Sequence, residues 1–119
     1  MVTGGRALQK KIRLLEARGA KVWKFRLRGK KIPWPALLNR LAGLGITSAL
    51  IEGGAVVAAS AIKDKAVDKI VLFYAAKILG GDGRPMIDNL GIRTVDKAVP
   101  VERLKVLQSG GDLMVSAYL

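Results

Sequence analysis

A chain of 119 residues, half of them apolar, is long enough to bury a hydrophobic core, and we expect residues 1–119 to form one domain. Because it contains no cysteine and no histidine, disulfides, a zinc site of the usual kind and serine- or cysteine-histidine nucleophile pairs are excluded. No apolar run approaches the roughly 20 residues of a membrane-spanning helix, and no secretory leader is evident, which predicts a soluble, cytoplasmic protein without a membrane partner.

The net charge of +12 is concentrated in the first part of the chain. Residues 1–45 hold 12 Lys and Arg against one acid, whereas residues 46–119 hold 9 against 8. Such asymmetry is compatible with a nucleic-acid surface, with a site for phosphorylated small molecules, or with a solvated exterior. Because the cations do not converge with aromatic residues into one stripe, we favour a solvated exterior and do not expect nucleic acid as a partner.

The elements predicted for the first part of the chain alternate between strands and helices. The end of a strand at residues 2–3 precedes a first helix over residues 6–18, where Leu8, Ile12 and Leu15 recur at helical spacing. Alternating apolar and basic residues predict a strand over residues 23–28 at or near a sheet edge, followed by a turn at residues 29–31. A leucine stripe over residues 37–44 predicts the second helix.

The second part of the chain continues the alternation and ends in a hairpin. A short apolar run at residues 46–51 predicts a buried parallel strand, residues 55–62 a third helix, and residues 69–75 a central strand. Residues 79–85 form a glycine-rich loop, and the segment up to residue 99 is expected to be irregular with one short strand. Residues 101–108 and 113–119 flank a Ser-Gly-Gly-Asp turn, which is a hairpin signal. This order predicts an α/β fold of three layers, with a mostly parallel sheet flanked by helices and a C-terminal antiparallel hairpin.

The stretch Glu52-Gly53-Gly54 is the candidate site, because the carboxyl ends of parallel strands are where ligands bind in such sheets. The two glycines either only form a corner of the backbone or let backbone amides approach a pyrophosphate at the start of the next helix. They do not form the GxGxxG fingerprint. For Glu52, which we expect to be at least partly buried, contact with a ligand and a structural ion pair are equally compatible with the sequence. Arg6, beside Thr3 and two glycines at a helix start, is a second possible phosphate cradle.

The run from Leu37 to Pro85 resembles the C-terminal part of the riboflavin-biosynthesis pyrimidine reductase domain, a dihydrofolate-reductase-like module usually fused behind a deaminase. The resemblance rests on a leucine-rich helix, an apolar run ending EGG, an alanine-rich helix, Asp68 before the next strand and the KxLGG loop of residues 77–81. The closing GGDLMVSAYL resembles the final hairpin of the family, so the resemblance covers essentially the whole chain. It implies an oxidoreductase that uses NADPH to reduce the ribosyl group of 5-amino-6-(5-phosphoribosylamino)uracil to the ribityl product.

The resemblance also implies roles for individual residues. Glu52 matches the acid that contacts the pyrimidine substrate. No residue is assigned a catalytic role, because hydride transfer depends mainly on the orientation of the substrate and on the cofactor. Thr3 matches a hydroxyl residue on the adenosine side of the cofactor. The turn and helix start that hold the NADPH phosphates match five consecutive residues, namely Gly53, Gly54, Ala55, Val56 and Val57.

Compared with the family, the chain has no counterpart of the N-terminal strands or of the zinc-binding deaminase. We therefore expect a C-terminal portion of a reductase domain with an incomplete site, and a homo-oligomer that covers the exposed sheet edge. The alternative is an inactive interaction or nucleic-acid-binding module on the same fold.

Overall fold

The structure, a computed structural model, describes residues 1–27, 31 and 33–119. Two compact units follow each other along the chain, Met1–Ala49 and Leu50–Leu119. The expectation of a single domain stays a prediction. The end of the predicted strand at Arg28 and the first two residues of the predicted turn, Gly29 and Lys30, lie outside the described residues.

The described residues of the first unit form two short strands and two helices. Strand β1 (Val2–Gly4) is followed by helix α1 (Gln9–Glu16), strand β2 (Trp23–Phe25) and helix α2 (Trp34–Ala42). β1 and β2 pair in parallel, with Val2 opposite Trp23 and Gly4 opposite Phe25. The α1 segment between them forms the crossover that a parallel pair requires. The predicted strand, helix, strand, helix order is confirmed for this unit, and α1 and β2 are shorter than expected.

Both helices of the first unit end in the same way. After α1, Gly19 adopts a positive φ of 84°, and the N–H of Ala20 donates to the carbonyl of Leu15 at 3.1 Å. After α2, Gly45 adopts a φ of 75°, and the N–H of Ile46 donates to the carbonyl of Leu41 at 3.1 Å. These bonds satisfy carbonyls that the end of a helix leaves free, and they need a residue that tolerates the left-handed conformation.

A small core holds the first unit together. Ile12 of α1 is 4% exposed and Trp34 of α2 is 5% exposed, and Leu37 is also buried. The guanidinium of Arg40 lies 4.8 Å from the centre of the Trp23 ring, within the range of a cation–π contact. Ile12 and Leu37 belong to the apolar stripes predicted from the sequence, whereas Trp34 does not, and Leu8 and Leu44 of those stripes are exposed.

The second unit contains one helix and a three-stranded antiparallel sheet. Helix α3 (Ala55–Lys63) is followed by β3 (Lys69–Tyr74), β4 (Glu102–Ser109) and β5 (Asp112–Tyr118). The strand order is β3-β5-β4, and both neighbouring pairs are antiparallel. β4 and β5 form the predicted hairpin, in which Gly110 adopts a positive φ of 63° at the first position of a two-residue turn.

Two strand predictions in this region are wrong. Residues 46–51 form no strand: Leu50 is 83% exposed, and no described segment offers this run a hydrogen-bonded neighbour. A strand forms only where a neighbouring strand exchanges backbone hydrogen bonds with it. A local apolar pattern does not reveal that neighbour. β3 was expected to be a central strand, yet it lies at an edge of its sheet, and Phe73 is 58% exposed. The central position belongs to β5, which contains the buried Ser116 and Ala117.

The fold is mixed α/β, as predicted, but its sheets differ from the expected three-layer, mostly parallel arrangement. The described strands form one parallel pair and one antiparallel sheet of three. The segment after the glycine-rich loop contains a 3₁₀ turn at Val95–Lys97 where a short strand was expected. No helix in the described part of the chain is long and apolar enough to cross a membrane.

Candidate functional site

The turn before α3 contains most of the residues that the sequence singled out. Gly54 is the N-cap residue of α3, in an extended conformation and without a capping side chain. Its carbonyl accepts hydrogen bonds from the N–H groups of Val57 and Ala58 at 2.9 and 3.0 Å. The N–H groups of Ala55 and Val56 come earlier and have no acceptor within the helix, so they are free to bind an external group. The first turn of α3 itself contains no acidic residue.

The two glycines of this turn have different explanations. Gly53 has a φ of 108°, which side chains rarely tolerate, so the backbone conformation itself favours glycine there. Gly54 has a φ of −72°, which any residue adopts, and a Cβ added to it would meet no atom within 4 Å. At Gly54 the missing side chain is explained neither by a positive φ nor by a neighbouring atom of the chain. The open space beside it suits the close approach of a ligand.

Glu52 lies in the irregular segment before this turn, and its side chain is exposed. We expected partial burial because we placed Glu52 at the end of a buried strand, and that expectation is wrong for the same reason as the strand itself. No side chain in the described residues makes a hydrogen bond or an ion pair with Glu52, so the structural ion pair that the sequence left open is not found there. An exposed carboxylate in this position can accept hydrogen bonds from the N–H groups of a ligand.

A later segment of the chain packs against α3 and was not predicted from the sequence. The N–H of Asp88 donates to the carbonyl of Ala55 at 3.2 Å, and the ammonium of Lys63 donates to the carbonyl of Asn89 at 2.7 Å. The segment is braced internally, because the Asp88 carboxylate accepts from the N–H of Asn89 and the Asn89 side chain accepts from the N–H of Gly91. Asp, Asn and Gly at this spacing are turn-forming residues, which is the signal that could have identified it.

Thr3 is placed elsewhere, in the middle of β1 in the first unit, opposite Lys24 of β2. It lines an open cavity of about 390 Å³ that also includes Arg6 and the apolar side chains of Ile12 and Leu15. The structure thus brings together Glu52 and residues 53–57 through their sequence adjacency. It places Thr3 in the other unit, next to the arginine that the sequence indicated as a phosphate ligand.

The comparison with protein families identifies this arrangement. The RibD C-terminal domain family matches residues 2–115. The chain belongs to this family. The expected resemblance to a riboflavin-biosynthesis reductase domain is therefore confirmed over nearly the whole length.

Relatives and solved structures of the RibD C-terminal domain agree with this assignment. The chain is 32% identical over 114 residues to the riboflavin biosynthesis protein RibD of Bacillus amyloliquefaciens, covering 95% of the chain and 30% of that protein. It is 32% identical over 87 residues to the 2,5-diamino-6-ribosylamino-4(3H)-pyrimidinone 5′-phosphate reductase of Methanothermobacter thermautotrophicus, covering 72% of the chain and 40% of that protein. A structure of Acinetobacter baumannii RibD matches 98% of the chain and 30% of its own length with a TM-score of 0.75 at 19% identity, which shows the fold. The chain spans less than half the length of each of these relatives.

Proposed function

We propose that this chain forms part of an NADPH-dependent reductase that acts on a phosphorylated pyrimidine in riboflavin biosynthesis. Membership of the RibD C-terminal domain family supports the proposal, as does the name of the archaeal relative, a reductase of a ribosylaminopyrimidinone phosphate. The proposed reaction is the reduction of the ribosyl group of 5-amino-6-(5-phosphoribosylamino)uracil to a ribityl group. NADPH supplies the hydride, and a proton from solvent completes the two-electron reduction.

The observation that carries the proposal is the glycine turn at the start of α3. A dinucleotide presents a pyrophosphate, and the free N–H groups of Ala55 and Val56 at the positive end of α3 are suited to bind it. The open space at Gly54 allows the phosphate oxygens to approach the backbone closely. In this account Gly53 shapes the turn, and Val57 continues the first helical turn behind it. Thr3 is proposed, from the family resemblance alone, as a contact of the adenosine side of NADPH.

Glu52 is proposed to contact the pyrimidine. An exposed carboxylate beside the phosphate-binding turn can accept hydrogen bonds from the ring N–H groups of a uracil, and it orients the substrate without taking part in proton transfer. No other residue of the chain is assigned a role in the chemical step.

We also propose that the chain acts as a homo-oligomer in the cytoplasm. Every residue of β4 is exposed, and β4 forms an edge of its sheet within the described residues. Its exposed apolar side chains Leu104, Val106 and Leu107 are suited to a further protein surface. Light scattering of wild type and Leu107→Lys at high concentration tests this. We expect a dimer or larger assembly that the substitution weakens, and a monomer for wild type at every concentration would contradict it.

The proposed cofactor site is tested by titrating NADPH into wild type and Gly54→Val while following the nucleotide fluorescence. Filling the open space should weaken binding by about a hundredfold, because the side chain occupies the path of the phosphates. Gly81→Val is the matched control, since Gly81 also has no atom within 4 Å of an added Cβ and no positive φ. Absence of binding to wild type at millimolar NADPH, or equal weakening in both variants, would remove the cofactor claim.

A further inference from the structure

A loop segment of the second unit, residues 87–91, is hydrogen-bonded to both ends of helix α3, and we call it the strap. The N–H of Asp88 donates to the carbonyl of Ala55, the first residue of α3, at 3.2 Å. The ammonium of Lys63, the last residue of α3, donates to the carbonyl of Asn89 at 2.7 Å. Because Asp88 and Asn89 are adjacent, the Lys63 side chain extends back toward the first turn of α3, which is the direction that helical side chains favour.

The strap keeps its shape through hydrogen bonds of its own. The Asp88 carboxylate accepts from the N–H of Asn89 at 2.8 Å, and the Asn89 side-chain oxygen accepts from the N–H of Gly91 at 2.6 Å. Ile87, Asp88 and Leu90 are half-buried, so the strap is packed against the rest of its unit. The hydrogen bond to α3 therefore comes from a donor whose position is fixed by several contacts.

The bond from the strap to Ala55 acts on one of the two free N–H groups of the turn before α3. The carbonyl of Ala55 and the N–H of Val56 belong to the same planar peptide unit, so a donor that holds the oxygen also limits the direction of the N–H. A hydrogen bond to a carbonyl also polarises its peptide unit and strengthens the N–H as a donor. A carbonyl oxygen has two lone pairs, which allows Ala55 to accept this bond beside an intrahelical one. The strap thus acts on the Val56 donor without lying in the path of a ligand.

We propose that Lys63 is a positioning residue for the turn before α3: it holds the strap against the helix, and the strap orients the N–H of Val56 toward a bound pyrophosphate. The inference rests on the proposed function for the identity of the molecule that carries the pyrophosphate. A charge-assisted hydrogen bond such as that of Lys63 is stronger than a neutral one, so it is the contact whose loss should loosen the strap most. Lys63 acts through Asn89 and Asp88 and is not proposed to contact the ligand.

The first arm of the test needs no ligand. In Lys63→Met the amide hydrogen of Asp88 should exchange with solvent about tenfold faster, and the amide signal of Val56 should move. Lys63→Arg keeps a cationic donor and should restore both values. Lys65→Met is the matched control, because Lys65 is exposed, lies two residues beyond Lys63 and loses the same charge. If Lys63→Met left the Asp88 exchange rate and the Val56 signal as in wild type, the inference would be overturned, whatever the chain binds.

The second arm measures the affinities of inorganic pyrophosphate and of NADPH from the amide shifts of Ala55 and Val56. Lys63→Met should weaken the binding of both by about fivefold, whereas Lys63→Arg and Lys65→Met should stay within about twofold of wild type. Urea denaturation of each variant separates positioning from stability. If Lys63→Met lost stability but bound both molecules as wild type does, Lys63 would be merely structural and the inference would be wrong.

The two molecules also separate this inference from the proposed function. NADPH binding at Ala55 and Val56 that is equal in wild type and Lys63→Met would refute the inference and leave the proposed function intact. Pyrophosphate binding there that Lys63→Met weakens, without any NADPH binding to wild type, would support the inference and count against the proposed function. Absence of binding of either molecule to wild type would contradict both.

Discussion

Two glycine pairs precede helices in this chain, Gly4-Gly5 before α1 and Gly53-Gly54 before α3, and they differ in the charge around them. In each pair the fold explains one glycine: Gly4 because of the nearby Leu27 side chain, Gly53 because of its positive φ. The other glycine of each pair faces open space. The first pair is surrounded by cationic side chains, whereas the second is preceded by an acid and followed by apolar residues.

The two turns therefore present different groups to an anion. At Gly54 the available groups are backbone amides and a helix dipole, which suit a pyrophosphate whose charge is spread over many oxygens. At Gly5 the available groups are guanidinium and ammonium side chains, which suit a compact dianion. In both turns, one glycine is required by the chain itself and the other is available to a ligand. Alanine substitutions can separate these two roles.

The largest loss of stability is expected for Gly53→Ala. Its φ of 108° is a strained conformation for alanine, and the substitution should lower the free energy of unfolding by about 1–2 kcal/mol. Urea denaturation followed by tryptophan fluorescence measures the change. A loss below about 0.5 kcal/mol would show that this turn relaxes to another conformation at little cost.

A smaller loss is expected for Gly4→Ala in the other turn. The new methyl group would meet the Leu27 Cδ1 atom at 2.7 Å, and because that atom is the end of a flexible side chain, repacking should limit the cost to about 1 kcal/mol. Adding Leu27→Ala in the same background should remove the clash. A double-mutant cycle with no coupling between the two positions would contradict this explanation of Gly4.

The smallest effects on stability are expected for Gly5→Ala and Gly54→Ala. Both positions have open space and no positive φ, so the free energy of unfolding should stay the same or rise by up to about 0.5 kcal/mol, because alanine restricts the unfolded chain. Thermal unfolding of the two variants beside wild type measures this. If either variant lost as much stability as Gly53→Ala, the assignment of that glycine to ligand approach would be wrong.

The parts of the fold with local signals could be predicted from the sequence. The β4–β5 hairpin contains its own turn, and its two strands pair with each other. Helix α1 has its apolar stripe and the Gly19 that ends it within one short segment. Family membership also followed from the order of motifs around Glu52.

The remaining features depend on partners distant in sequence. Residues 46–51 have the composition of a buried strand but no neighbour in the described residues, and the position of β3 at a sheet edge depends on β5, about 40 residues later. The contact of Asp88 with Ala55 joins a loop to a helix start and leaves no periodic signal. The end of α3 was predicted to within one residue, although Lys65 beyond it adopts a φ of 52° that glycine usually supplies.

The proposed cofactor site is tested most directly by amide chemical shifts of the isotope-labelled chain during an NADPH titration. The account predicts that the signals of Gly54, Ala55 and Val56 shift in a saturable way in wild type, and that the signals of Ala55 and Val56 no longer shift in Gly54→Val although this variant stays folded. Saturable binding of NADPH that leaves these three signals unchanged would contradict the assignment of the turn before α3 as the phosphate site.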